Sequence, residues 1–259
     1  MALVLGMDIG SYFTKGIILG DHKPVSSYMK LSGGDYQATA ESIQKALLSK
    51  AGISLKEVVY TVATGYGSKQ VSFADAFKTD IVCIAKGIVS FHPSVRTAID
   101  VGDLYTKVVR MDAKGSVHNF IMSGKCAGGS GRILQLIAKV LRVNVEEIGV
   151  LSLKSTKRVD FNTGCAVFAE SEAISRIAEG TAKEDLVAGL HRALAAQINS
   201  LAERLGIEKD VALVGGGARD AGLVQVLKEI RGHEIIVPTE PHFTAALGAG
   251  IIAGETISG

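Results

Sequence analysis

An internal repeat constrains the fold of this 259-residue chain more than any other feature. The segments Asp8–Lys15 and Asp100–Lys107 share the pattern Asp-x-Gly-x-x-aromatic-Thr-Lys at an offset of 92 residues. Each copy predicts a strand, a tight turn and a second strand, with a carboxylate at the end of the first strand. The duplication predicts two similar lobes facing each other. A cleft between such lobes would suit a polyphosphate with its metal ion.

A single Asp-x-Gly is also an ordinary hairpin signal, because Asp and Gly favour turns for local reasons. Two copies in matching positions favour a shared function instead. Other nucleotide signatures are missing. Gly124-Lys125-Cys126 lacks both the first glycine and the hydroxyl residue of a P-loop, and no Gly-x-Gly-x-x-Gly follows a strand.

Strands alternate with helices along the chain, which predicts an α/β fold. The periodicity predicts a strand from Leu3, helices over 36–51 and 181–206, and a short buried strand over 211–214 before Gly215-Gly216-Gly217. Thr181 and Glu184 have the spacing of a capping box for the second helix, and Gly206 ends it. Apolar residues make up 47% of the chain and the net charge is +2. These values argue against disorder and against nucleic-acid binding.

Targeting and metal signals are few. The first eight residues lack the build of a signal peptide, and no apolar run approaches the ~20 residues of a membrane helix. We therefore expect a cytoplasmic protein without a membrane partner. The six histidines form no close pair, so no zinc site is assigned, and we expect His191 and His242 on a surface or helix face.

The two Asp-x-Gly turns and the late strand-Gly-Gly-Gly-helix resemble the acetate and sugar kinase, Hsp70 and actin superfamily. That resemblance implies two ribonuclease-H-like lobes with ATP in the cleft between them: residues 1–97 with 242–259, and residues 98–241. It implies that Asp8 and Asp100 act through Mg²⁺ and water, with Lys15 as a third catalytic group. An ordinary surface lysine is the alternative for Lys15. The implied nucleotide-binding residues are Gly10, Ser11, Thr14, Lys15, Gly102, Asp103, Thr106, Gly215, Gly216, Gly217, Ala218 and Arg219.

Two of the three cysteines have the surroundings of metal ligands. Cys126 and Cys165 each lie beside glycine, just before a predicted helix, where backbone N–H groups lower the thiol pKa and favour an anion. Burial as small apolar residues is the alternative, and we prefer it for Cys83, which lies in an apolar run. An iron–sulfur cluster normally takes four thiolates, so two per chain predict a symmetric dimer that shares one cluster.

This combination resembles the ATP-dependent activators of 2-hydroxyacyl-CoA dehydratases, a family grouped with subunits of benzoyl-CoA reductase. The resemblance covers nearly the whole chain. It implies a homodimer with one [4Fe–4S] cluster on Cys126 and Cys165, ATP hydrolysis, and electron transfer from a ferredoxin- or flavodoxin-like donor to an iron–sulfur enzyme acting on CoA esters. The stretches that carry it are residues 63–67, 125–132, 154–158, 167–172 and 245–250.

One segment departs from the family pattern. The family writes its second phosphate turn Asp-x-Gly-Gly-Gln-Asp, whereas this chain has Asp100-Val-Gly-Asp103-Leu-Tyr105. Asp103 either adds a carboxylate facing the metal or repels phosphate. Two other functions remain open: a redox-silent kinase for a sugar or small acid, and a nucleotide-gated binding module without hydrolysis.

Overall fold

A computed structural model of the chain describes residues 2–124, 129–161 and 166–258. Their fold divides into two compact units. The first combines residues 1–95, 111–118 and 243–259, and the second combines residues 96–110 and 119–242. Each unit is built around one β-sheet.

The first unit contains a five-stranded sheet in the order β3-β2-β1-β4-β5. β1 runs antiparallel to β2 and parallel to β4. The strands are β1 (Leu3–Ile9), β2 (Phe13–Gly20), β3 (Lys23–Leu31), β4 (Val58–Thr64) and β5 (Ala76–Phe77). The predicted strand from Leu3 and its hairpin partner are confirmed.

Alternating residues of β1 bury both faces of this sheet. Leu5 and Met7 pack against α1 (Tyr36–Ala51), which matches the predicted helix over 36–51. Val4 packs on the other face with α8 (Thr244–Ser258), which lies against α2 (Asp80–Phe91). Gly248 permits this approach, because a Cβ there would collide with the Cys83 carbonyl.

The second unit repeats the strand order of the first. Its four-stranded sheet has the order β8-β7-β6-β9, with β6 antiparallel to β7 and parallel to β9. The strands are β6 (Thr97–Val101), β7 (Thr106–Met111), β8 (Val117–Met122) and β9 (Val211–Val214). The duplicated strand-turn-strand predicted from the sequence is therefore present in both units.

One apolar core holds the sheet of the second unit against its helices. Those helices are α3 (Arg132–Leu141), α4 (Ile148–Ser152), α5 (Ala166–Ala178), α6 (Lys183–Leu205) and α7 (Ala221–Arg231). The apolar face predicted for the long helix is confirmed, since Leu186, Leu190 and Leu194 are buried on α6. The predicted capping box is wrong. Helix α6 begins after Ala182, whose side chain makes no capping hydrogen bond.

Within residues 2–124, 129–161 and 166–258, no helix is long and apolar enough to cross a bilayer.

Candidate functional site

The turn at the end of β1 brings an aspartate and a lysine together. Asp8 faces Lys15 across the β1–β2 pair, and the Lys15 Nζ lies 2.9 Å from the Asp8 Oδ2. Both side chains are largely buried, at 12% and 14% exposed. The turn closes where the Gly10 N–H donates to the Phe13 carbonyl at 3.1 Å. A short strand-turn-strand is therefore sufficient to bring the two predicted catalytic groups of this unit into contact.

The second unit reproduces this arrangement. Asp100 faces Lys107 across β6 and β7, and the Lys107 Nζ lies 3.0 Å from the Asp100 Oδ2. The Gly102 N–H donates to the Tyr105 carbonyl at 3.0 Å. Lys107 is the counterpart of Lys15 but is absent from the set of site residues predicted from the sequence. Its position in the repeat was the signal that could have identified it.

A glycine that follows the parallel neighbouring strand lies against each aspartate carboxylate, on the side away from the lysine. Gly65 follows β4 with φ +90°, and Gly215 follows β9 with φ +84°. A Cβ added at Gly65 would lie 2.5 Å from the Asp8 Oδ1, and one at Gly215 would collide with the Asp100 Oδ1. The two glycines occupy the same register, one residue beyond the strand partner of the aspartate. Each carboxylate thus lies between a lysine and bare backbone.

The threonines of the repeat point away from these ion pairs, because neighbouring side chains in a strand face opposite sides. Thr14 is fully buried, with its hydroxyl 2.9 Å from the Ser32 hydroxyl. Thr106 is also fully buried, and its hydroxyl has no hydrogen-bond partner among the described residues. The Thr106 backbone N–H donates to the Ser123 hydroxyl at 3.0 Å.

The segment expected to hold adenosine forms a tight 3₁₀ turn over Gly216–Arg219. Gly217 and Ala218 are buried, and a Cβ at Gly217 would collide with the Val101 side chain. Gly216 and Arg219 are exposed. Of this segment, these two residues present backbone and a cation to solvent.

The segment Gly65–Gln70 has the same build in the first unit. A 3₁₀ turn covers Ser68–Gln70, and the Ser68 N–H donates to the Gly65 carbonyl at 3.2 Å. In the second unit the Ala218 N–H donates to the Gly215 carbonyl at 3.3 Å. The structural repeat therefore includes the glycine turn after the parallel strand, which the sequence comparison did not reveal.

Ser11 and Asp103 belong to the predicted phosphate turns. Ser11 lies half-buried in the first turn. Asp103 accepts hydrogen bonds from two side chains of α3. The Arg132 Nη2 lies 2.6 Å from the Asp103 Oδ2, and the Gln135 amide nitrogen lies 3.1 Å from the Asp103 Oδ1. The hydrogen bond to Asp103 raises the pKa of the Arg132 guanidinium. Neither Arg132 nor Gln135 was a predicted site residue.

The predicted ligands of the iron–sulfur cluster, Cys126 and Cys165, lie outside residues 2–124, 129–161 and 166–258. Cys83 is fully buried on α2, and burial raises the pKa of its thiol to about 12. Its predicted structural role is confirmed. The described residues contain no group of three or more His, Cys, Asp or Glu side chains that could hold a metal ion.

His191 lies on a helix as expected, but neither His191 nor His242 lies on the surface. His191 on α6 is fully buried, with its Nδ1 2.9 Å from the Ser152 hydroxyl and its Nε2 3.0 Å from the Asp220 carboxylate. His242 is also buried. Helical periodicity located His191 on a helix but could not reveal the polar partners that make its burial possible.

The two sheets share one strand order, and an Asp-x-Gly turn follows β1 in the first and β6 in the second. This duplicated arrangement defines the class of protein by its fold. A glucokinase of the ROK family from Streptomyces griseus has the same fold, with a TM-score of 0.60 and 13% identity over 98% of this chain and 99% of that one. The predicted fold, shared with sugar kinases, is confirmed. This degree of likeness establishes the fold alone, so the kinase alternative gains nothing from it.

Residues 5–253 match the BadF/BadG/BcrA/BcrD ATPase family, and the chain belongs to that family. It is 36% identical to (R)-2-hydroxyglutaryl-CoA dehydratase component A of Acidaminococcus fermentans, with a TM-score of 0.96 over the full length of both chains. It is 38% identical to the activator of 2-hydroxyisocaproyl-CoA dehydratase from Clostridium difficile, a structure with bound ADPNP. The TM-score there is 0.95, over 99% of this chain and 96% of that one.

Proposed function

We propose that this chain is an ATP-hydrolysing activator that delivers a low-potential electron to an iron–sulfur dehydratase or reductase acting on CoA esters. The observation that carries the proposal is the full-length likeness to component A of one 2-hydroxyacyl-CoA dehydratase and to the activator of another, the second with bound ADPNP. The duplicated Asp–Lys pairs supply the groups that bind a nucleoside triphosphate and its metal ion, namely carboxylates and cations on tight glycine turns.

The two turns would hold the phosphates. Lys15 and Lys107 would meet phosphate oxygens, and the exposed backbone at Gly216 with Arg219 would lie against the adenosine. We propose that the lobes divide as the sequence predicts, at about residues 97 and 242, because an electron-transfer ATPase needs two bodies that respond to the nucleotide.

Mg²⁺ fits the donor set at these turns. It prefers oxygen ligands and usually keeps several waters, taking one or two protein carboxylates and the substrate phosphates. Asp8 and Asp100 each have one carboxylate oxygen on a lysine, and no larger acidic cage surrounds them among the described residues. These two aspartates would hold the ion through water. When bound, Mg²⁺ would neutralise charge on the transferred phosphate.

A [4Fe–4S] cluster fits the cysteines that remain. The Cys83 thiol is too deeply buried to ionise near neutral pH, which leaves Cys126 and Cys165. Two thiolates per chain would require two chains around one cluster. The cluster would supply one-electron chemistry. We further propose a ferredoxin- or flavodoxin-like donor and a cytoplasmic role in anaerobic metabolism.

The function is tested with anaerobic protein, Mg-ATP, a strong chemical reductant and a purified 2-hydroxyacyl-CoA dehydratase. Product formation that requires both ATP and this chain is the expected result. Asp8→Asn and Asp100→Asn should each lower ATP hydrolysis at least ~100-fold, the scale for losing one electrostatic group at a transition state.

Asp21→Asn is the matched control. Asp21 is exposed, and its φ of +48° is a conformation that Asn accepts. Its substitution should leave hydrolysis unchanged. Dehydratase activation that proceeds without ATP, or phosphorylation of a sugar or small acid by this chain, would refute the proposal.

A further inference from the structure

Asp103 is the acidic residue that departs from the family's second phosphate turn, and its carboxylate faces α3. The Arg132 Nη2 donates to the Asp103 Oδ2 at 2.6 Å, and the Arg132 Nε donates to the Oδ1 at 3.3 Å. The Gln135 amide adds a third bond to the Oδ1 at 3.1 Å. The Asp103 side chain is 10% exposed, so this is a largely buried carboxylate in a bidentate contact with the Arg132 guanidinium.

The backbone reinforces the same connection. The Gly131 N–H donates to the Gly102 carbonyl at 2.8 Å, and the Arg132 N–H donates to the Asp103 carbonyl at 3.3 Å. Gly131 is the N-cap residue of α3 and Arg132 is its first residue, and backbone N–H groups at a helix start otherwise lack partners. The phosphate turn itself therefore caps the helix.

These contacts argue against both of the roles that the sequence left open for Asp103, namely a carboxylate facing the metal and one that repels phosphate. A carboxylate that accepts two bonds from Arg132 and one from Gln135 has its charge compensated within the protein. It neither repels a bound phosphate strongly nor turns both oxygens toward a metal ion. The negative charge is directed at the helix.

We propose that Asp103 is a positioning residue that joins the Asp100–Asp103 turn to α3, so that nucleotide bound at the turn is sensed by the helix. The inference rests on the proposed function, because it requires ATP at this turn. Helix α3 follows Cys126 in the sequence. Asp103 would thus transmit nucleotide occupancy toward the cluster segment through residues that belong to a single unit.

Hydrogen exchange read by mass spectrometry tests the proposal without requiring a cluster. Peptides covering residues 100–107 and 131–141 are followed with and without Mg-ADPNP. In the wild type, nucleotide should slow exchange in both peptides. In Asp103→Ala and Arg132→Gln, nucleotide should still slow exchange at residues 100–107 as it does in the wild type. At residues 131–141 of these variants, the slowing of exchange by nucleotide should be about tenfold smaller than in the wild type, as expected for losing a charge-assisted hydrogen bond.

Lys139→Gln is the matched control, since it removes one positive charge from an exposed position on the same helix. It should respond as the wild type does. Asp103→Asn keeps the side-chain shape and serves where Asp103→Ala is poorly folded; it too should lose most of the α3 response.

Three results would overturn the inference. In the first, nucleotide slows exchange in α3 of Asp103→Ala or Asp103→Asn as much as in the wild type; in the second, bound ADPNP does not slow exchange in α3 of the wild type. In the third, both Asp103 variants lose more than about tenfold in ADPNP affinity, which would show that Asp103 contacts the nucleotide. A wild-type chain that binds no ADPNP in calorimetry would instead refute the proposed function, and this inference with it.

Discussion

Replacing Gly65 with alanine tests whether bare backbone beside Asp8 is required. An alanine in the left-handed region costs about 1–2 kcal/mol, of which a less flexible unfolded chain returns about 0.4–1 kcal/mol. At Gly65 the new Cβ would also lie 2.5 Å from the Asp8 Oδ1 and 2.7 Å from the Ile9 carbonyl oxygen. Overpacking of this kind adds about 1–3 kcal/mol. We expect Gly65→Ala to cost about 2–4 kcal/mol in the free energy of unfolding.

Gly52→Ala separates the two contributions. Gly52 also has a positive φ, of +67°, but a Cβ there meets nothing within 4 Å. Its substitution should cost about 1 kcal/mol or less. Urea unfolding of both variants measures the difference, and ATP hydrolysis should fall only in Gly65→Ala because Asp8 must shift. Equal unfolding costs, or normal hydrolysis in Gly65→Ala, would refute the reasoning.

Three further predictions concern buried groups. Cys83, whose thiol pKa is raised to about 12 by burial, should resist iodoacetamide at pH 8 in the folded protein and react once urea unfolds it. Peptide mass spectrometry separates Cys83 from the other two cysteines, and labelling of Cys83 itself in the native chain would contradict its burial. His191→Phe should cost about 2–4 kcal/mol in urea unfolding, since the Asp220 carboxylate loses its buried partner, and a cost under about 1 kcal/mol would show that this contact contributes little. The Lys157 N–H is the main cause that lowers the pKa of Asp185 below its ordinary 3.8, so the charged form stabilises the fold. Asp185→Asn should therefore be less stable than wild type at pH 7, and this gap should close as acid protonates Asp185 below pH 3.8; a gap independent of pH would be contrary evidence.

Local sequence patterns predicted much of the fold. Asp8 and Lys15 lie close together because a tight turn leaves them opposite each other on neighbouring strands, and the repeat carries the same result to Asp100. Helix α1 and strand β9 have the predicted bounds, since their apolar patterns end at clear glycine signals. The start of α6 differs from the prediction, since Thr181 is not used as a cap. Instead, Asp185 in the first turn of α6 accepts hydrogen bonds from the Thr156 and Lys157 N–H groups, which lie in the distant connection between α4 and α5.

The site was less predictable where contacts join distant segments. Gly65 reaches Asp8 only because β1 and β4 are parallel neighbours, a pairing that no short pattern encodes. The Asp103–Arg132 contact likewise depends on how α3 packs beside the second sheet. Two signals for Gly65 were available. Residues 63–67 are one of the stretches that carry the family resemblance, and a buried strand followed by Gly-Tyr-Gly parallels the strand and glycines at Gly215.

Iron and sulfide analysis of anaerobically purified protein, combined with its mass in solution, tests the central claim most directly. The account predicts about four iron and four sulfide per pair of chains, lost together in Cys126→Ser and in Cys165→Ser. A monomer that binds ATP but takes up no iron on reconstitution would contradict it, as would a cluster that persists in both variants.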